Sequence, residues 1–124
     1  MSQPKLNSMV FCIKAVHTEP WWNLIGVFDT CLANDAGEAE FDVFIKLGDM
    51  PSDHDSTITL SFVDPSNLDV LGEFSALIRG GSDRVAERVV PVTMVFPREG
   101  DYHVEVHVGA SLIDVLVLRV YVTG

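Results

Sequence analysis

Three residues near the C-terminal end of the chain have the types and spacing of metal ligands. His103, Glu105 and His107 alternate with apolar residues over positions 102–108, and this period-2 pattern predicts a half-buried β-strand. The three polar side chains then share one face, and imidazole and carboxylate groups are ligands for Zn²⁺ and Cu²⁺. These residues are therefore a candidate metal site, for which Asp114 on the following strand is the best candidate for a third protein ligand. The interpretation that the pattern favours is the solvated polar face that every half-buried strand carries.

A second candidate is an acidic loop that could bind Ca²⁺ through oxygen ligands. It contains Asp49, Asp53, His54 and Asp55. Their spacing does not match the EF-hand template, and acidic loops are common in acidic proteins. A solvated loop is the competing interpretation.

Two adjacent tryptophans, Trp21 and Trp22, follow Pro20 in a connection between strands. Exposed tryptophans can stack on sugars or anchor a protein interface, and a tryptophan in such a position can also cap a sandwich core. All three interpretations remain open, so a carbohydrate-binding module is a further hypothesis.

The sequence contains no pattern typical of an enzyme. It has no G-x-S-x-G nucleophile motif, and Ser82 follows two glycines that mark a turn rather than a phosphate cradle. Cys12 and Cys31 lie in apolar segments, which favours buried hydrophobic side chains over reactive thiols. We do not expect a disulfide between them, and we expect a non-catalytic protein without a cofactor.

Charge and hydropathy restrict the possible partners. Eighteen acidic residues against eight basic ones give a formal net charge of −10, which disfavours nucleic acids and anionic membranes because both are bound through Lys and Arg. The apolar runs are too short to cross a bilayer. Residues 1–16 lack the pattern of a secretory signal, so we expect a cytoplasmic protein.

The rest of the chain predicts one all-β domain over residues 1–124, an antiparallel sandwich of about eight strands. Turn signals separate the apolar segments at the spacing expected of a sandwich. Gly26 predicts a bulge or a close backbone approach, and Pro91 predicts an edge strand or a bulge. The predicted strands cover residues 6–16, 23–32, 41–47, 57–63, 71–78, 87–96, 102–108 and 112–122.

The first and last of these strands are apolar on both faces. A single sandwich buries one face of each strand, so the second face needs cover from a loop or another subunit. We therefore predict an interaction module that self-associates, most simply as a homodimer, or binds an unidentified protein partner. The predicted interface residues are Trp21, Trp22, Leu116, Leu118 and Tyr121.

Two resemblances to known proteins add to this interpretation. The segment EGDYHVEV, at positions 99–106, resembles strand F of immunoglobulin-like domains. The resemblance implies that Tyr102 forms a tyrosine corner and that Val104 occupies the position of a cysteine, as in disulfide-free relatives. In addition, the segments NLIGVFDTCLA, FDVFIKLGD, VDP and FPREGDYHVEVHVG are similar to an uncharacterised family of small bacterial proteins, which implies a single β-sandwich and no assigned activity.

Overall fold

Nine β-strands form the computed structural model, which describes residues 3–123. This range contains no helix long and apolar enough to cross a membrane. The strands are β1 (Lys5–Thr18), β2 (Trp21–Phe28), β3 (Thr30–Ala33), β4 (Glu38–Gly48), β5 (Asp55–Val63), β6 (Val70–Arg79), β7 (Ala86–Val95), β8 (Gly100–Val108) and β9 (Ser111–Val122).

The strands form two sheets that pack face to face. The four-stranded sheet has the order β2-β1-β4-β7, and the five-stranded sheet has the order β3-β9-β8-β5-β6. Neighbouring strands are antiparallel, except that β3 runs parallel to β9. The neighbours β4 and β7 in the first sheet, and the run β9-β8-β5-β6 in the second, follow the strand order of the two sheets of an immunoglobulin domain. The prediction of an all-β, immunoglobulin-like sandwich is therefore confirmed.

The core lies between the sheets and is built from alternate residues of the central strands. On β4 the buried residues include Val43 and Ile45, and on β8 they include Val104 and Val106. This alternation is the one that the sequence predicts for half-buried strands. Aromatic rings run through the core in mutual contact, with centroid separations of 4.9 Å between Phe96 and Tyr102 and 5.6–6.4 Å among Phe11, Phe28, Phe41, Phe62, Phe74 and Phe96.

Both cysteines are buried and free, as the apolar surroundings predict. Burial raises the pKa of the Cys31 thiol to about 11. Burial, followed by the charge of Asp42, also raises the pKa of the Cys12 thiol. Neither thiol therefore has the lowered pKa of a reactive nucleophile.

The predicted second strand, residues 23–32, is wrong as a single element. The chain leaves the four-stranded sheet after Phe28 and enters the five-stranded sheet at Thr30. Two other predictions are confirmed. Pro91 lies on β7, an edge strand, and Gly26 marks a close approach, since a Cβ added there would lie 2.5 Å from the Ile13 side chain.

The second half of β1 and the whole of β2, residues 13–28, form a hairpin that we call the N-terminal hairpin. It lies against the outer side of the four-stranded sheet at β4. The Trp22 ring contacts Phe44 at a centroid distance of 5.9 Å, and the Ala15 N–H donates to the Asp42 carboxylate at 2.9 Å. Phe44 faces away from the core because its neighbours Val43 and Ile45 face into it. The hairpin therefore covers part of the apolar surface that the sequence leaves on the outer side of this sheet.

Tyr102 forms the tyrosine corner that the immunoglobulin-like signature implies. Its hydroxyl donates to the Arg98 carbonyl and accepts from the Arg98 N–H at 3.3 Å. The Arg98 guanidinium donates two hydrogen bonds of 2.7 Å to the buried carboxylate of Asp64 and one of 2.8 Å to the Ser66 hydroxyl. These bonds tie the loop before β8 to the turn after β5, and the Arg98 hydrogen bonds hold the pKa of Asp64 well below its usual range.

Candidate interaction surface

The histidine face of β8 keeps its three residues on one side of the sheet but does not form a ligand cluster. His107 Nε2 lies 3.4 Å from Glu105 Oε1. Asp114 lies opposite Val106, whereas Val115 lies opposite Glu105. Asp114 is exposed, but an irregularity in the pairing places it opposite Val106 rather than opposite a residue of the histidine face. It does not join these residues in a group that could hold a metal ion.

No group of three or more His, Cys, Asp and Glu side chains within residues 3–123 could hold a metal ion. The acidic loop is included in this finding. Two of its three carboxylates have basic partners, since Asp55 pairs with Arg79 at 3.0 Å and Asp49 lies 3.5 Å from Lys5. The loop therefore has the character of a solvated connection with local ion pairs.

On β9 the predicted interface residues divide between the two faces of the strand. Leu118 is fully buried and Leu116 is partly buried against the core, so neither presents an exposed side chain. The sequence could not assign their face because both faces of β9 are apolar. Tyr121 is exposed, as is Val117 on the same outer face.

The outer face of β9 also carries charge. Arg119 donates to the Asp101 carboxylate at 2.9 Å. This hydrogen bond lowers the pKa of Asp101 and raises that of Arg119. The charged pair lies beside the apolar side chains of Val117 and Tyr121. The face is therefore a mixture of apolar and ionised groups.

The two tryptophans have different environments. Trp22 is half-buried between Phe44 and His17, with a centroid distance of 4.7 Å to the histidine ring. It caps the outer side of the four-stranded sheet. Trp21 is 71% exposed, which leaves it free to contact another molecule.

Trp21 belongs to an apolar surface that we call the hairpin face: Val16, Trp21, Asn23, Ile25 and Val27. Alternate residues of β2 form most of it, and Val16 of β1 lies directly opposite Asn23. Ile25 is 54% exposed and Val27 is 62% exposed. The strand β2 contains no charged residue, and Lys14, opposite Ile25, adds one positive charge beside the face.

The exposed apolar residues Ile25 and Val27 were not among the residues that the sequence singled out. The sequence pattern predicts one strand over residues 23–32 and does not show which of its side chains are exposed. The available signal was the uncharged run from Trp21 to Phe28, but its exposure depends on the hairpin lying outside the sandwich.

An apolar groove of about 300 Å³ adjoins the hairpin face where the chain crosses between the sheets. Its walls include Val27, Phe28, Cys31, Leu32 and Phe41. Leu32 and Val27 are exposed at its rim. The groove extends the apolar surface from the hairpin towards β3.

The comparisons with known proteins show a weak likeness in structure. No protein-family model matches the chain, and no curated protein matches it. Among solved structures, an immunoglobulin-like protein from Pseudomonas aeruginosa is similar at 12% sequence identity, with 97% of this chain and 98% of that chain covered and a TM-score of 0.48. The strand order and the tyrosine corner, rather than this likeness, establish the fold.

Proposed function

We propose that this protein is a non-catalytic interaction module that self-associates as a homodimer through the N-terminal hairpin. The observation that carries this proposal is the hairpin face itself. Three large apolar side chains, those of Trp21, Ile25 and Val27, are more than half exposed on one face of a strand that has no charge. Single exposed apolar residues are normal, whereas a contiguous apolar patch marks an interaction site.

Electrostatics favours this surface over the rest of the molecule. Two copies with a net charge of −10 each repel one another, so association is cheapest where the contacting surface lacks acidic groups. The hairpin face meets this condition, and Lys14 beside it is basic. The outer face of β9 is a weaker candidate because Asp101 and Arg119 would have to be desolvated together.

The alternative of a metal-binding or small-ligand-binding sandwich uses His103, Glu105 and His107. The contact between Glu105 and His107 supports it. The separation of Asp114 from this face weakens it. We also propose that the protein belongs to the small bacterial family that it resembles and that it is cytoplasmic. Neither proposal implies a biochemical activity.

The test is the molar mass of the protein by light scattering on a size-exclusion column over a range of concentrations. We expect a concentration-dependent dimer for the wild-type chain. Ile25→Glu should shift the dimer midpoint at least about tenfold towards higher concentration, because it places a carboxylate in a desolvated contact. The matched control is Leu77→Glu, a similarly exposed apolar residue on the edge strand β6, which should leave the midpoint unchanged.

A strictly monomeric wild-type protein would refute the proposal. Equal effects of Ile25→Glu and Leu77→Glu would show that the dimer uses another surface. A mass that changes only on addition of zinc would favour the histidine face of β8 instead.

A further inference from the structure

The two sheets have four edge strands, and three of them carry features that prevent pairing with another strand. The edge strand β7 contains Pro91 and the charged residues Glu87 and Arg88, and β6 contains Glu73 and Arg79. The edge strand β3 has only four residues. Proline, charge and short length are the usual protections of sheet edges.

The fourth edge strand, β2, lacks these protections. It has eight residues without charge or proline, and within residues 3–123 it pairs only with β1. Alternate residues of such a strand direct their N–H and C=O groups away from the sheet, where they can pair with another strand. Gly26, with a φ of 68°, interrupts the regular backbone and limits the unprotected edge to Trp21–Ile25.

We propose that two copies of this chain pair edge to edge through β2, antiparallel, with a two-fold axis at Asn23. This inference rests on the proposed function and specifies its contact. The pairing would join the two four-stranded sheets into one continuous sheet of eight strands. A two-fold contact is self-complementary, and antiparallel pairing of a strand with its own copy satisfies that requirement.

The proposed register between the two copies of β2 is set by the regular segment Trp21–Ile25, which has Asn23 at its centre. With the axis at Asn23, Trp21 of one copy lies opposite Ile25 of the other, and Trp22 lies opposite Leu24. Directly opposite residues project to the same side, so Trp21 and Ile25 pack together on the joined hairpin faces. Aromatic and β-branched pairs of this kind stabilise antiparallel sheets, and β2 contributes no acidic residue to the contact from either copy.

The register is tested by cysteine cross-linking of the full-length chain. In Asn23→Cys the two introduced thiols meet at the axis, where the Cα atoms of opposite residues are about 4.5–5.5 Å apart, within the range of a disulfide. The native thiols are buried and react slowly. Asn23 is exposed and its hydrogen bond to Thr18 is also exposed, so the substitution leaves the fold intact. The matched control is Thr93→Cys, an exposed residue on the edge strand β7.

Under mild oxidation we expect Asn23→Cys to form a covalent dimer at least tenfold faster than Thr93→Cys. A second pair of variants uses charge. Asn23→Lys should abolish the light-scattering dimer because two ammonium groups face one another, while Thr93→Lys should not.

The two possible failures are distinguishable. If the wild-type chain is dimeric but Asn23→Cys cross-links no faster than its control, or Asn23→Lys stays dimeric, the edge pairing is overturned while self-association stands. If the wild-type chain is monomeric, both proposals fail.

Discussion

Substitution of Gly37 tests how tightly the turn between β3 and β4 is held against the end of β7. Gly37 has a φ of 79°, and a Cβ added there would lie 2.2 Å from the backbone oxygen of Phe96. The Phe96 N–H donates to the Gly37 carbonyl at 2.8 Å. Gly109 provides the matched control because its φ is also positive, at 59°, and no described atom lies within 4 Å of its added Cβ.

The expected losses of unfolding free energy follow from these contacts. Gly109→Ala carries only the left-handed backbone strain of about 1 kcal/mol. Gly37→Ala carries the same strain, and the Phe96 carbonyl must also retreat by roughly 1 Å to reach an ordinary carbon–oxygen contact. This movement breaks the hydrogen bond and disturbs the buried Phe96 ring, so we expect a loss of about 3 kcal/mol.

The assay is thermal unfolding followed by circular dichroism at a single protein concentration, since self-association makes Tm concentration-dependent. For a domain of this size 1 kcal/mol corresponds to about 4 °C. We therefore expect Tm to fall by about 4 °C in Gly109→Ala and by about 12 °C in Gly37→Ala. Equal decreases would refute the steric account of the turn.

Two further predictions concern the tie between β5 and β8. Tyr102→Phe removes the tyrosine-corner hydrogen bonds and should lower Tm by about 4 °C, from a loss of about 1 kcal/mol; an unchanged Tm would contradict this role. Asp64→Asn should destabilise the protein most at neutral pH. Because the folded pKa of Asp64 is lowered, its carboxylate stabilises the fold above the ordinary carboxyl pKa and ceases to do so as the pH falls through the folded value. The difference in Tm between wild type and Asp64→Asn should therefore shrink from pH 7 to pH 3, and a constant difference would argue against the ion pair.

The alternation of apolar and polar residues predicted the strands in which one face is buried and the other is exposed to solvent. On β8 the alternation of apolar and polar residues follows burial along the strand, because the period of a strand is two. On β4 and β5 it does so except where an outward residue such as Phe44 or Ser61 is also buried. The tyrosine corner was predictable for a different reason. Its partner, Arg98, is four residues away from Tyr102, so the signature is local in sequence.

The remaining features depend on distant partners, which a single strand does not reveal. Apolar residues lie on both sides of Asp29, so the sequence suggests one strand. In the structure Phe28 pairs with β1 and Thr30 pairs with β9, which places them in different sheets. On β9 both faces are apolar, so the pattern could not assign Leu118 to the core. An irregularity in the β8–β9 pairing next to Val106 also places Asp114 opposite Val106, and no residue type in the sequence indicates this irregularity.

The position of β9 determines when the protein can finish folding during its synthesis. All the strands of the four-stranded sheet have been made once Val95 is joined, but β9, the last strand made, lies between β3 and β8. Until β9 has been synthesised, β3 has no neighbouring strand in its sheet. At synthesis rates of about 5–20 residues per second, the nascent chain spends seconds with one wall of its core open. Loss of β9 would therefore leave β3 without its partner strand and turn β8, still paired with β5, into an exposed edge, so we expect a chain without β9 to be unable to close its sandwich.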